Sequence, residues 1–486
     1  MNGSPLPMNR PTPSWYFFAT VVVVFVLAFS HAAPAVTPPR PNLIVILADD
    51  LGYGDLGCYG QTRIRTPRLD RMAAEGARFT RYYAGSTVCA PSRSVLMQGL
   101  HTGHCRVRGN AGRQNPLAQS LRPEDVTVAK VLKTAGYTTG LVGKWGLGDM
   151  AGAEVGLPRS QGFDEFFGYL NQHHAHNYYP TFLWRNEHRH PLANVVPNED
   201  WAGGGRSSNK AQYSADLIAD EAISFIERHQ HRPFFLCFTP TLPHANNEAG
   251  KEGMEIPDFG EYRDLDWPSA AKGHAAMVTR LDRDVGRILD LLGRLNLDTR
   301  TLVVFTSDNG PHREGGNQPD FNDSNGPLRG IKRDLYEGGI RVPMIVRWPT
   351  RVAAGVLRSE VCWAADLLPT AAELAGIRPP SGLDGRSLAR GLLGGRAPRR
   401  SAPLYWEFHE GGFKQAVLDG PWKAVRLAPT QPVELYHLAS DPGETRDLAA
   451  EQPRRAGRLA RSMDRQHHES PDWPVSRLDA KNSLKP

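Results

Sequence analysis

Four short apolar runs, spaced along the first two thirds of the chain, each end in a cluster of polar residues. Leu43–Leu47 leads to Asp49 and Asp50, Thr138–Val142 to Lys144, Phe234–Phe238 to Pro243 and His244, and Leu302–Phe305 to Asp308 and Asn309. Runs this short, rich in Val, Ile and Phe and bounded by Gly or Pro, predict strands buried on both faces. Between them the apolar positions recur every three to four residues. Thr66–Ala73 offers an N-cap and a proline at the first helical position, Gln212–Glu227 repeats Leu217, Ile218, Ala222, Phe225 and Ile226, and Met277–Leu292 repeats Val278, Leu281, Val285 and Ile288. Strands alternating with helices predict an α/β fold: a large domain, over about 40–390, with a mostly parallel sheet flanked by helices. In such sheets ligands bind beyond the carboxyl ends of the strands, where all four polar clusters fall.

The pattern changes after Gly391–Arg400, a Gly/Pro/Arg-rich connector. Leu404–Phe408, Gln415–Leu418, Lys423–Arg426 and Glu434–Tyr436 alternate as half-buried antiparallel strands do, with a turn at Asp419-Gly420-Pro421. A helix is expected over Glu444–Met463, which makes 400–475 a small C-terminal α+β domain with an antiparallel sheet. At the other end Arg10 precedes an apolar run, Trp15–Phe29, and then small residues. The run is shorter than the roughly 20 residues of a membrane span. It predicts an export signal over 1–35, cleaved between Ala33 and Pro39, and an exported protein, periplasmic or secreted, with no stable membrane insertion after cleavage. An uncleaved anchor is the alternative.

Composition narrows the function. A net charge of +6 over 486 residues, with no dense Lys/Arg block in the central chain, argues against nucleic-acid binding and is compatible with an anionic substrate. Gly 48 and Pro 39 imply many loops, as in an enzyme that carries its site on strand-to-helix connections. The five cysteines, Cys58, Cys89, Cys105, Cys237 and Cys362, show no zinc-like spacing; Cys237 sits in an apolar run and a disulfide elsewhere stays open.

Cys89 stands apart, in Gly85-Ser-Thr-Val-Cys-Ala-Pro-Ser-Arg-Ser-Val-Leu-Met97. Pro91 suits the first position of a short helix ending at Gly99, so Cys89 is expected at a helix N-terminus with Arg93 one turn on. Free N–H groups, the helix dipole and a guanidinium together favour an anion beside a nucleophile. Asp49, Asp50, Asp308 and Asn309 add four hard oxygen ligands suited to Ca²⁺ or Mg²⁺ more than to zinc, although such pairs also serve as ordinary caps and turns.

With these motifs the chain resembles the sulfatase family. Cys89-Ala-Pro-Ser-Arg93 matches its Cys-x-Pro-Ser-Arg signature, and the likeness runs from about Asn42 to Leu448. The resemblance implies that a formylglycine-generating enzyme oxidises Cys89 to formylglycine (3-oxoalanine), whose hydrate is the nucleophile. It implies that Asp49, Asp50, Asp308, Asn309 and an oxygen of residue 89 hold one divalent ion, Ca²⁺ before Mg²⁺. Lys144 and Lys332 look like the lysines that grip the sulfate, with Arg93, and Asp308 would take the attacking hydroxyl's proton. His244 resembles the histidine that protonates the leaving oxygen. One departure stands out: many sulfatases read Gly-Lys-Trp-His-Leu-Gly, and here Gly146 occupies the histidine position. His174 or His176 is expected either to fill that vacancy or to shape the substrate pocket. By analogy Glu407, His409, Glu410, Lys414 and Gln415 of the C-terminal domain are candidate subsite residues. The implied function is hydrolysis of a sulfuric ester, of a sulfated carbohydrate before an aryl sulfate. A phosphonate or phosphate ester hydrolase of the same superfamily, and a sulfated-glycan binding protein that never matures its cysteine, remain the alternatives.

Overall fold

Leu43, Val45 and Leu47 face one core while Ile44, Ile46 and Ala48 face another, and none is more than 3% exposed. That two-sided burial is why the run carries no polar alternation. The computed structural model describes residues 40–475 apart from 112–114, 151, 397–398 and 401; the expected export signal lies outside the described residues. In chain order the first sheet comprises β1 (Asn42–Ala48), β2 (Ala77–Tyr83), β3 (Thr138–Lys144), β4 (Glu165–Tyr169), β5 (Phe182–Arg185), β6 (His188–Pro191), β7 (Phe234–Thr239), β8 (Thr301–Ser307), β9 (Arg341–Arg347), β10 (Val356–Arg358) and β11 (Cys362–Trp363). Across the sheet they run β10-β2-β9-β8-β1-β7-β3-β4-β5-β6, with β11 continuing alongside β2. The block β8-β1-β7-β3-β4 is parallel, and antiparallel strands flank it on both sides.

Helices cover both faces. On one lie α1 (Pro67–Ala74), α4 (Ser214–His229) and α5 (Ser269–Arg294), sending Leu69, Phe225 and Leu281 into the core that holds Ile44 and Ile46. On the other lie α2 (Cys89–Gln98) and α3 (Val128–Thr134), whose Val95, Leu96 and Leu132 pack with Val45 and Leu47. The expected sheet flanked by helices is therefore present, with α5 extending eight residues ahead of its apolar repeat.

A separate four-stranded antiparallel sheet follows: β12 (Leu404–Phe408), β13 (Lys414–Asp419), β14 (Trp422–Arg426) and β15 (Glu434–His437), in sequence order. Tyr405, Val417, Ala424 and Leu435 meet Leu459 and Met463 of the C-terminal helix, while Trp406, Phe408 and Val425 join the core of the large sheet. Trp406 also donates its indole N–H to the Ala84 carbonyl, 2.9 Å away. The helix itself spans Pro453–Gln466, not Glu444–Met463. Glu444 adopts φ 51°, which no continuing helix tolerates, because its buried carboxylate reaches Lys423 at 2.9 Å. Asp441 then fixes a turn by accepting the N–H groups of Thr445 and Arg446, and Pro453 opens the helix.

Candidate active site

Helix α2 begins at Cys89, so Pro91 is its third residue, not its first. Both placements satisfy the proline, because none of the first four N–H groups of a helix has an intrahelical partner. Gly99, at φ 69°, ends the helix as expected. All ten residues of α2 are buried, and the Cys89 thiol, 3.3 Å from Asp49 Oδ1, points along its N-terminus into the carboxyl edge of the sheet. Burial, reinforced by the Asp49 carboxylate, pushes this thiol well above its ordinary range. As an unmodified cysteine it stays protonated and is a poor nucleophile.

The two acidic pairs come together because β1 and β8 are neighbours in register, Ala48 opposite Ser307. Asp50, in the left-handed region at φ 66°, turns its backbone N–H to Asp308 Oδ1 at 3.1 Å. Strain of this kind in a non-glycine residue persists only where the surroundings fix it, and it concentrates at functional sites. Three cations answer the three carboxylates. Arg93 reaches Asp308 Oδ2 through Nε and Nη2 at 3.2 and 2.8 Å, Lys144 Nζ lies 2.7 Å from Asp49 Oδ2, and Lys332 Nζ lies 2.9 Å from Asp50 Oδ2. Burial and repulsion from Asp49 raise Asp308, whereas Asp49 is held well below the usual carboxylate range, against its burial, by Lys144 and Arg93. Lys332 is bonded to Glu314 as well, at 3.0 Å.

His244 donates from Nδ1 to the Ala245 carbonyl at 2.6 Å, leaving Nε2 to face Lys332 Nζ at 3.2 Å and Asp50 at 3.5 Å. Burial, with the Lys332 charge beside it, pushes this imidazole down to about 3. It is a neutral ring next to an ammonium.

The donor set fits a hard divalent cation. Asp49, Asp50 and Asp308 converge with Asn309, whose Nδ2 donates to Asp50 Oδ1 at 2.7 Å while its buried Oδ1 has no protein partner. A buried amide oxygen left unpaired costs about 1–3 kcal/mol unless something binds it. Cys89 and His244 also bring ligand atoms within 4.8 Å of those of Asp49 and Asp50; the carboxylate and amide oxygens of this set suit Ca²⁺ or Mg²⁺.

Cys89, His244 and Lys332 open into a cleft of about 500 Å³. Of the expected subsite residues, His176 and Glu410 line it. His176 stacks on His244 with ring centroids 5.0 Å apart, and its Nδ1 is 3.2 Å from Glu248. His174 lies beneath the cleft, not in its lining, with Nε2 against the Phe182 carbonyl at 3.0 Å. Glu407, His409 and Gln415 are buried in a network of their own, where Glu407 meets Arg108 at 3.0 Å and Gln415 meets the Tyr405 hydroxyl at 2.6 Å. Lys414 extends over the Phe408 ring, 5.5 Å from its centroid, outside the cleft lining. The alternation of β12 and β13 marks Glu407 and Gln415 as sharing a face, opposite to that of Lys414, but not that the C-terminal helix covers it.

The cleft also contains groups that sequence reasoning missed: Asn110, Asn171, Gln172, His173, Trp201 and Arg333. All sit in loops, where no periodicity marks them. Gly146 adopts φ 81°, and a Cβ there would lie 2.2 Å from Gln172 Nε2, so the side chain of residue 172 fills that space. Gly146→Ala is expected to cost about 1–2 kcal/mol from the left-handed backbone alone, measured by chemical denaturation. A loss no larger than that of an exposed loop substitution would refute the strain.

The fold and this charge arrangement define an α/β protein with a buried centre of paired charges at the carboxyl edge of its large sheet. The family model described as Sulfatase matches residues 41–377, and the one described as N-sulphoglucosamine sulphohydrolase, C-terminal, matches 331–469. Human arylsulfatase A is 36% identical over 87% of this chain and 86% of its own length. An N-acetylgalactosamine-6-O-sulfatase of Bacteroides thetaiotaomicron is 32% identical over 85% of this chain and 90% of its own. Among solved structures, Ps i-CgsB in complex with k-i-k-neocarrahexaose superposes with a TM-score of 0.75 at 27% identity, covering 91% of this chain and 96% of that one. The chain belongs to the sulfatase family and is a sulfatase.

Proposed function

We propose that this sulfatase removes sulfate from a sulfated saccharide, using a formylglycine at position 89 and a bound Ca²⁺. The observation that carries it is one buried centre in which Cys89, three aspartates, Asn309 and three cations meet at the floor of a cleft. Asp49, Asp50, Asp308 and Asn309 would hold the ion, which supplies positive charge against the sulfuryl oxygens. Residue 89, oxidised by a formylglycine-generating enzyme and hydrated, supplies one hydroxyl as nucleophile at sulfur and a second that lets sulfate leave as the aldehyde returns.

The chain's own groups do the rest. Arg93, Lys144 and Lys332 surround the site with fixed charge and need no reorganisation when charge builds on the ester oxygens. Asp308 accepts the proton of the attacking hydroxyl. His244, fixed through Nδ1 on Ala245, accepts at Nε2 from the Lys332 ammonium and orients it, and that ammonium gives a proton to the departing oxygen. The C-terminal sheet edges the cleft through Glu410. No helix among the described residues is long and apolar enough to cross a membrane.

Peptide mass spectrometry of active enzyme is expected to find the aldehyde at position 89, and chelation of divalent ions is expected to lower turnover at least about tenfold, restored by Ca²⁺. Active material with an intact thiol at 89 would sink the proposal. Faster turnover of phosphate or phosphonate esters than of sulfate esters would reassign the substrate.

A further inference from the structure

His173 and His176 stand three residues apart on a single 3₁₀ turn, His174–His176, with His173 as its cap. Side chains at that spacing eclipse along one edge of such a turn. Both rings line the cleft, with centroids 5.5 Å apart. Glu248 meets them from the segment that follows β7: its Oε1 lies 3.2 Å from His173 Nδ1 and 3.2 Å from His176 Nδ1. The Glu248 N–H is held by the Asn246 side chain at 3.1 Å. Behind the pair, His173 Nε2 bonds the Asp200 carboxylate, and a Cβ on Gly204 would lie 2.4 Å from the ring's Cδ2, so this imidazole is fixed in direction. The protons do not match the acceptors. A carboxylate only accepts, so the bond to Asp200 puts a proton on His173 Nε2 and leaves Nδ1 of the neutral ring with a lone pair. That lone pair faces Glu248, a second acceptor. Burial works against both carboxylates, yet the Gly204 N–H holds Asp200, and the His176 bond holds Glu248, below their ordinary range. Two acceptors that meet in this way are stabilised by a cation on the same side.

We propose that His173 Nδ1, His176 Nδ1 and a Glu248 oxygen form a second metal site, one for Zn²⁺, on the wall of the cleft and with ligands distinct from those of the aspartate centre. Their ligand atoms all lie within 4.8 Å of one another. Two imidazoles and a carboxylate suit Zn²⁺, whereas the oxygen-rich aspartate set suits Ca²⁺. Ligand atoms at zinc bond lengths from a tetrahedral centre stand roughly 3.3 Å from each other, close to both spacings of Glu248. The Asp200 bond is the carboxylate support that fixes the tautomer of a ligating histidine, and His176 binds as its Nε2–H tautomer. The His173 side chain is 34% exposed, which gives the ion a way in from solvent. Because both histidines line the cleft, the fourth position opens there to water or a substrate oxygen. The site does not depend on the saccharide assignment made above.

The test uses the full chain carrying Cys89→Ala, which removes the thiol of the aspartate centre, in excess Ca²⁺. Calorimetric titration with Zn²⁺ is expected to show binding that Glu248→Gln and His173→Gln, added singly, each weaken at least about tenfold. Co²⁺ in place of Zn²⁺ is expected to give the visible absorption of a four-coordinate nitrogen and oxygen site, lost in Glu248→Gln. Denaturant unfolding in chelator, with midpoints like the parent's, separates lost binding from lost folding. Crystals soaked in Zn²⁺ need no substitution at the site, and their anomalous scattering is expected to place the ion between His173, His176 and Glu248. An ion found only at the aspartate centre or elsewhere, or an affinity that ignores both substitutions, overturns the site.

Discussion

Cys89→Ala and Cys89→Ser are each expected to lower kcat for sulfate release by roughly 10³–10⁶-fold, the range seen when a covalent nucleophile is deleted. Neither carries the thiol whose oxidation would give the proposed aldehyde. Alanine removes the side-chain nucleophile altogether. Serine keeps one hydroxyl but lacks the second that would let sulfate depart while the carbonyl re-forms. Both substitutions are small and lie at the first residue of a buried helix, so the fold is expected to survive. Arg93, Lys144 and Lys332 are untouched, so binding of a sulfated ligand is expected to persist while turnover is lost. Initial-rate sulfate release, with ligand binding measured on the same preparations, checks this. Activity within about tenfold of the parent in either variant would mean that residue 89 is not the nucleophile.

The second large effect is on stability. Glu407 is buried on β12 and accepts hydrogen bonds from Arg108 Nη1 at 3.0 Å, His409 Nε2 at 3.0 Å, His467 Nδ1 at 2.8 Å and the Tyr405 hydroxyl at 2.9 Å. Burial alone would raise this carboxyl, yet the bonds from His409 and His467, with the Arg108 charge, hold it well below its ordinary 4.5. It joins the loop after α2, the small sheet and the residue that ends the C-terminal helix. Glu407→Ala leaves Arg108 buried without its carboxylate and is expected to cost about 3–5 kcal/mol, read by denaturant unfolding.

The pH dependence has a fixed sign. Because the folded value lies below the unfolded one, Glu407 contributes fully above pH 4.5 and its contribution fades as pH falls below that. His467, raised by its bond to Glu407 against some burial, acts in the other direction: its contribution is full below 6.5 and is lost as pH rises through its folded value. The stability gap between the parent and Glu407→Gln is therefore expected to shrink on acidification below about pH 4.5. A gap that is constant through that window would show that the carboxylate's charge does not hold the joint.

Much of this architecture is written in local patterns. The runs at Leu43, Thr138, Phe234 and Leu302 are strands, because an element covered on both faces buries its residues without polar alternation. The helix start at Cys89 is equally local, since Pro91 and Gly99 act through their own backbones. The end of the chain misleads for a related reason. Residues 444–452 have helical composition, but a long-range partner, Lys423, draws Glu444 into the interior and breaks the run.

The proposed catalytic centre divides in the same way. Asp49, Asp50, Asp308 and Asn309 are legible as strand-end clusters, yet their meeting depends on β1 lying beside β8 with Ala48 opposite Ser307. Glu314, Gln172 and Trp201 give no signal in the chain, because a polar or aromatic residue in a loop has no period to report its direction. Sequence alone determined the four central strands of the large sheet, the strands of the small one and which chemistry waits at their ends, since those properties depend on neighbours a few residues away. Only the tertiary structure decided that Glu407 and Gln415 are buried braces and that Trp201 faces the cleft. Those outcomes depend on which distant surfaces pack together, and strand order and helix docking set that over separations of hundreds of residues.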